Sequence, residues 1–544
     1  MSTLRARREH LPADIFGLSD IARAALAKGQ VNGVPVARTL SEVPRPKDMH
    51  PEPLRQELAQ ALRTGLEEVF GPDGLPGRAS TSLEVLAREG SFAVLTGQQP
   101  GLYAGPLYTL YKAMQACRLA SELSRDWGIP VVPIFWNHGE DHDISEVNHT
   151  YLVNRNLDVQ KAGLSNLQAG RTPISRILMN TDEQSLGDLR ALFANTYGDH
   201  VSVDWALDLC QPRAGESLAR ALTRALTELL GEHGLVVVEP DWIRTELSRA
   251  LADIVSRDPR AALQASTELE HPTAIDPNSG AMVFRVDPEH GRQPLRLGGE
   301  GYRYDDEPGS RTPEELAAEI VGEPAAWSAG GLLRPLVQDS VFPACAYVGG
   351  WGELAYHAQL AAARDVCGVP RTAFVPRVSA TLLDPDVSGS LKKVGVSLSE
   401  ILQAAGKFEA KLKSEDEPEA FGNLRQISTD ARAQLMTQRE ALAALDPSLG
   451  LGLKKAASQM ERAVDKVLTK AMRVHATQSG RGDKHIRRLN NHLMPRSKPQ
   501  ERVLGPVPYL ARWGKDFVDA LWSEWPAICV EHLGVFLDLQ EDPS

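Results

Sequence analysis

The chain has 544 residues and a mass of 59.3 kDa, enough for roughly three to four domain-sized units. Lys and Arg number 59 against 71 Asp and Glu, giving a formal net charge of −12, the opposite of the basic footprint of a nucleic-acid binder. Hydrophobic residues at 42% and charged residues at 24% suit a globular chain, and no run approaches the ~18–20 consecutive apolar residues of a membrane helix.

The first ten residues carry charge with no apolar run behind them, so no signal peptide is expected. Residues 51–70 read as a helix, with Leu54, Leu58 and Leu62 at fourfold spacing, and 71–77 (GPDGLPG) as a break. Phe92–Thr96 reads as a buried strand running into a Gly-rich loop, Leu107–Ala120 as a helix, and Val131–Trp136 as a second strand. Strand, loop, helix and strand in this order predict a βαβ unit of a parallel sheet. Further strands are expected at Leu235–Glu239, after a helix near 216–230, and at Phe374–Pro376, after a helix near 353–364. The polar stretch 155–230 and the Pro/Gly-rich stretch 265–330, with hairpin-like pieces at Met282–Val286 and Gly301–Tyr304, read as insertions into this core.

Between 390 and 490 the pattern changes. Leu424, Ile427, Ala431, Leu435, Gln438, Leu442 and Leu445 form one series at 3–4 spacing; Ala456, Met460, Ala463, Val467, Ala471 and Val474 form another, with the break expected at Asp446–Gly450. Two amphipathic helices joined by a short turn make an antiparallel hairpin, whose apolar seam suits dimerisation. The last fifty or so residues return to globular composition. Expected divisions are therefore 1–154, 231–264 and 331–388 as core, 155–230 and 265–330 as insertions, 389–492 as coiled coil, and 493–544 as a return to the core.

Cys117, Cys210, Cys345, Cys367 and Cys529 are an odd, scattered set without a C-x-x-C pair. Neither a disulfide framework nor a cysteine-built zinc site is expected, and the set fits a reducing cytoplasm.

Three clusters carry chemistry. Thr96–Tyr108 (TGQQPGLYAGPLY), with Lys112 a turn into the helix, lies at the carboxyl end of a parallel strand, where open α/β sheets bind ligands. Gly97, Gly101 and Gly105 would allow close backbone approach, helix N–H groups near Pro106 could receive an anion, and Gln98 and Gln99 offer neutral donors and acceptors. Trp136–Asp143 (WNHGEDHD), followed by Glu146, Asn148 and His149, packs acids and histidines at the end of the next strand and suits acid/base work. A capped helix start, with Asp143 or Ser145 as N-cap, stays open there. Tyr347–Gln359 (YVGGWGELAYHAQ) opens a helix bearing Glu353 and Tyr356, and Pro376–Ser379 ends a strand. Asp141, His142 and Asp143 are the candidate catalytic residues. The candidate substrate-binding set is Gln98, Gln99, Tyr103, Tyr108, Lys112, Asn137, Glu140, Asn148, Glu353, Tyr356, Arg377 and Ser379, with Lys112 or Arg377 suited to carboxylates or a phosphate. No metal is expected: His138 and His142 are four apart, but a loop does not fix them on one face.

Taken together, 96–113, 132–149, 334–360 and 376–383, with the later Lys498-Pro-Gln-Glu-Arg502, resemble the bacillithiol synthase family along essentially the whole chain. Trp351 departs from it, standing where a small residue or proline is expected. The resemblance implies an α/β fold with a Rossmann-like doubly wound parallel core, two connecting-peptide insertions and an α-helical antiparallel coiled-coil domain forming a homodimer. It implies a ligase joining L-cysteine to the glucosamine amine of glucosaminyl-malate, the last step of bacillithiol biosynthesis. It implies no tightly bound cofactor, with ATP or another nucleotide as candidate activator and Lys498 and Arg502 as candidate nucleotide contacts. The core also looks like class I aminoacyl-tRNA synthetases and nucleotidylyltransferases, but Gly97-Gln98-Gln99 stands where those enzymes carry phosphate-binding histidines. Two alternatives remain: a nucleotidylyltransferase or aminoacyl-adenylate former, and a non-catalytic dimeric scaffold that binds a metabolite.

Overall fold

The computed structural model describes residues 2–541 apart from 48–49, 165–166, 168–169, 180–183, 272–273, 288–289, 299–300, 305–308, 409–417 and 479–482. The chain divides into two compact units, one of 1–155, 159–382 and 500–544, the other of 156–158 and 383–499.

The first unit is built on five parallel strands: β1 (Phe92–Gln98), β2 (Val131–Asn137), β3 (Val236–Val238), β4 (Ala344–Gly349) and β5 (Ala373–Pro376), in the order β5-β4-β1-β2-β3. β1, β2 and β4 are almost continuously apolar and buried, as strands covered on both faces must be. The chain leaves β1 toward β2 and β3, then returns to the other side of β1 for β4 and β5. The crevice between β1 and β4 is thus the switch point of the sheet.

Helix α1 (Leu107–Trp127) connects β1 to β2 and stops at Gly128, whose φ of 67° makes the left-handed C-cap. Before β3 runs α2 (Leu218–Leu230), after it α3 (Arg244–Ser256); α4 (Arg334–Val341) and α5 (Trp351–Gln359) flank β4. Strand β4 was not anticipated. Its Ala-Cys-Ala start has little β-branched character, and the sequence there is dominated by glycines.

Among the described residues the stretch 265–330 contains four strands, Ala281–Asp287, Gly291–Gly298, Gly301–Tyr304 and Trp327–Ala329, which form one antiparallel sheet. A separate three-stranded sheet joins Ser2–Leu11, His532–Glu541 and Ser379–Leu383. No described helix is long and apolar enough to cross a membrane.

In the second unit the hairpin consists of α6 (Glu419–Thr437), α7 (Arg439–Leu445) and α8 (Pro447–Gln478), followed by α9 (Asp483–Leu493). The expected break at Asp446–Gly450 is shorter than the sequence suggested. Helix α8 starts at Pro447, a residue suited to the first helical turn, and the Asp446 carboxylate accepts the Ser448 N–H at 2.7 Å. Much of the apolar series is open to solvent: Ile427 is 62% exposed, Leu445 79% and Val467 61%.

Candidate functional site

A cavity of about 380 Å3 opens at the switch point, lined by the ends of β1, β2 and β4 and by residues beyond β5. Gly97 is required where β1 passes β2: a Cβ there would lie 2.6 Å from the Trp136 carbonyl oxygen. The loop that follows is filled by the protein itself. Leu102, Tyr103 and Ala104 are buried, a Cβ on Gly101 would meet the Gly105 Cα at 2.7 Å, and the Leu107 N–H donates to the Leu504 carbonyl. These glycines therefore serve chain–chain packing, and the first helical N–H is already satisfied rather than free for an anion.

Lys112, fully buried, donates from Nζ to the Gly97 carbonyl and to both Glu353 oxygens at 3.0 Å. Glu353 also accepts the Tyr347 hydroxyl and the Gly350 N–H, each at 2.8 Å. Burial pushes the Glu353 carboxyl up, but Lys112 and these donors more than offset it and hold it below the ordinary range. Arg377 is likewise committed: its guanidinium meets Glu501 at 2.6 Å and lies over Tyr108. Lys112 and Arg377, expected to receive a substrate anion, are thus already paired.

Two other guanidiniums line the cavity without a carboxylate at ion-pair distance among the described residues. Arg334, the first residue of α4, donates only to the Gln338 side chain at 3.4 Å and the Tyr356 hydroxyl at 3.3 Å, and its buried Nε has no partner. Arg502 is exposed at the cavity wall. A buried cation without its counter-charge is costly, and an anionic ligand would supply that charge.

Opposite charge comes from the loop after β2. Asp141 Oδ2 accepts the Gln99 amide at 2.6 Å, and Oδ1 accepts the His142 N–H at 2.7 Å. Burial pushes this carboxyl up, but the Gln99 amide, the His142 N–H and the Arg292 charge hold it below the ordinary range. Burial, with Arg334 nearby, pulls His138 down to about 3, so its imidazole is neutral at pH 7.

Of the residues expected from sequence, Gln98, Gln99, Tyr108, Lys112, Asp141, Glu353, Tyr356, Arg377 and Arg502 line the cavity together. The others do not. Asp143 caps the short helix Ile144–Val147, accepting the Ser145 N–H at 3.1 Å, so here the capping alternative describes the geometry. His142 lies behind Asp141 with its ring edge toward Phe284. Glu140 is buried against Arg244; Asn137 ties β2 to α2 through Ala219 and Thr223; Asn148 closes the capped helix. Tyr103 is buried and donates to Gln211, and Ser379 bonds Glu501 and His532. Lys498 is exposed and belongs to the second unit, whereas Gln500 and Glu501 of the same motif are buried structural residues.

Sequence reasoning left His138, Arg334 and Tyr347 out of the site. One signal for Arg334 was present: a cation in the first turn of a helix opposes the helix dipole, so another use is implied. For a metal, the described residues offer one trio, His10, Cys529 and Glu531, with donor atoms within 4.8 Å of one another; none of the three lines the cavity.

The fold and site define an α/β protein with a Rossmann-like domain, a polar cavity at its switch point and a coiled-coil domain. Residues 39–378 match the family model described as bacillithiol biosynthesis BshC, N-terminal Rossmann-like domain, and residues 380–537 match its C-terminal coiled-coil domain. A relative from Koribacter versatilis, named "Putative cysteine ligase BshC", is 31% identical over 490 residues, covering 88% of this chain and 89% of that one. Relatives with the same name from Solibacter usitatus and Geobacillus kaustophilus are 29% and 30% identical, covering 83% and 81% of this chain and 86% and 83% of theirs. The chain belongs to the BshC family of bacillithiol biosynthesis.

Proposed function

We propose that this protein is an amide-forming ligase that joins the carboxyl group of L-cysteine to the amine of glucosaminyl-malate, the last step of bacillithiol biosynthesis. The observation that carries the reading is the pair of uncommitted guanidiniums, Arg334 and Arg502, in one cavity with the charged Asp141. Arg334 and Arg502 would hold the two malate carboxylates. Asp141 would meet an ammonium and take a proton as the amine attacks. Tyr108 and Tyr356, pushed up in pKa by burial, stay protonated and can donate to substrate hydroxyls.

A carboxylate does not acylate an amine at neutral pH. A co-substrate of the nucleoside triphosphate class, ATP being the first choice, is therefore part of the proposal as the source of activation. All five cysteines are free and buried, in keeping with work in a reducing cytoplasm. The exposed Leu424, Ile427, Leu449, Leu451 and Val467 support a homodimer formed through the hairpin. The nucleotidylyltransferase and scaffold alternatives gain no support from the relatives.

Mass spectrometry of thiols from cells with and without the gene tests the reading. Bacillithiol should vanish and glucosaminyl-malate accumulate on deletion; unchanged bacillithiol would overturn it.

A further inference from the structure

The second insertion reaches the reactive loop through Phe284, which meets the His142 ring, and through Arg292. Arg292 lies on the strand Gly291–Gly298, is 4% exposed, and stacks its guanidinium over the Phe284 ring at 3.7 Å. Its Nη2 is 3.4 Å from the Ser328 hydroxyl, its Nη1 is 3.8 Å from Asp141 Oδ1, and its Nε has no partner. A rigid backbone holds it: its N–H donates to the Arg171 carbonyl at 2.8 Å. The first insertion pins the same loop by two backbone bonds, Ile174 N–H to the Asp141 carbonyl at 2.7 Å and Ser175 N–H to the Gly139 carbonyl at 2.9 Å.

Asp141 is thus divided between two sides. Oδ2 turns to Gln99 at the cavity, and Oδ1 turns to its own loop and to Arg292. The charged and titratable groups around it are His138, His142 and Asp143 on its loop, Glu146 sharing Gln99, Arg292 from the insertion and, through His138, Arg334 from α4. Arg292 in turn faces Glu140, Asp141 and Arg244; Glu140 is already engaged by Arg244 at 2.5 Å. Asp141 is therefore the carboxylate left for Arg292 to balance.

We propose that Arg292 is a positioning residue of the cavity: from the second insertion it holds Asp141 by Oδ1 and so aims Oδ2 at the substrate amine. The inference rests on the reading of Asp141 as the group that meets that amine. The insertion then completes one wall of the site, and its loss would cost activity without removing a residue that touches substrate.

The test compares Arg292→Gln with Arg292→Lys in the full-length protein. The Asp141 carboxyl is followed in ligand-free, 13C-aspartate-labelled protein and assigned by the signal lost in Asp141→Asn. In Arg292→Gln its pKa should rise by about 1, as expected on removing an opposite charge at this range. The acidic limb of the ligation rate should move to higher pH by the same amount, and Arg292→Lys should restore most of both. If Arg292→Gln does not fold, Phe284→Leu, which removes the platform under the guanidinium, should give a smaller rise in the same direction. An Asp141 titration unmoved in either variant overturns the inference, whatever happens to stability. A titration that moves in the variant, when the wild-type protein itself makes no bacillithiol, upholds the Arg292 assignment and overturns the ligase reading instead. Normal bacillithiol formation with an unmoved titration does the reverse.

Discussion

The parallel-sheet core and the helical hairpin are unsatisfied in opposite ways. In the core, apolar groups are closed away and most buried charges are matched: Lys112 with Glu353, Arg364 with Asp339 at 2.7 Å, Arg377 with Glu501, Arg244 with Glu140. Among the described residues lining the cavity, what is left over is positive charge at Arg334 and, at the exposed wall, Arg502. In the hairpin it is apolar surface that remains, from Leu424 to Val467, with Ala457 and Leu468 among the few buried positions. Unmatched charge in a cavity calls for a small anion, whereas unmatched apolar surface on helices calls for another protein surface. The two regions therefore point to two kinds of partner.

The comparison is sharpened most by Asp141→Asn, which keeps shape and removes the charge opposite the guanidiniums. Ligation should fall about 10²–10⁴-fold, measured by bacillithiol formation at a temperature where thermal melting shows the variant folded, since Arg292 loses its carboxylate and stability falls as well. Next is Glu353→Gln, which strands Lys112 in the core. Stability should fall by about 3–5 kcal/mol in denaturant titration. Adding Lys112→Met should recover most of that loss; a double variant as unstable as the single one would break the claim that core charges are matched in pairs.

For the hairpin, Ile427→Asp with Leu449→Asp should halve the mass seen by light scattering, from twice 59.3 kDa to 59.3 kDa, and leave the core folded. A chain that is already monomeric at micromolar concentration would remove the hairpin's half of the comparison.

The histidines give a pH test. Burial pulls His532 down to about 4 and His138 to about 3, against about 6.5 in an unfolded chain. The unfolded state therefore takes up protons first as pH falls. Stability contributed by these groups is full above about pH 6.5 and lost progressively toward pH 4, with the His138 share lost on to pH 3. Melting temperature against pH should show that decline, and His532→Gln should flatten part of it.

The smallest effect belongs to Asp143→Ala. As a helix cap it should cost about 1 kcal/mol, with turnover largely retained.

These contrasts also explain what the sequence could show. β1, β2, β3 and β5 were legible as short apolar runs bounded by turns, and the hairpin by its 3–4 spacing. β4 was hidden because its alanines and glycines lack a strand's composition. The acidic loop was found as a cluster, yet only His138 and Asp141 of it reach the cavity. Backbone bonds from the first insertion, at residues 174 and 175, fix where that loop points, and no local pattern encodes them. Arg334 escaped because it shares a cavity with Gln99 and Asp141 only through the sheet's return from β3 to β4, a long-range juxtaposition invisible to spacing.

Arg334 is the anion receptor of the proposed site, and calorimetry of ligand binding tests that role directly. Glucosaminyl-malate and a methyl glucosaminide lacking the malate are titrated into the wild-type protein and Arg334→Met. The wild type should bind the malate form about 100-fold more tightly than the malate-free form, as lost charge-assisted hydrogen bonds of ~1.5–3 kcal/mol would give. Arg334→Met should erase most of that preference while melting no lower than wild type, since it removes a buried charge without a counter-charge. Equal affinity of Arg334→Met and wild type for glucosaminyl-malate would contradict the account.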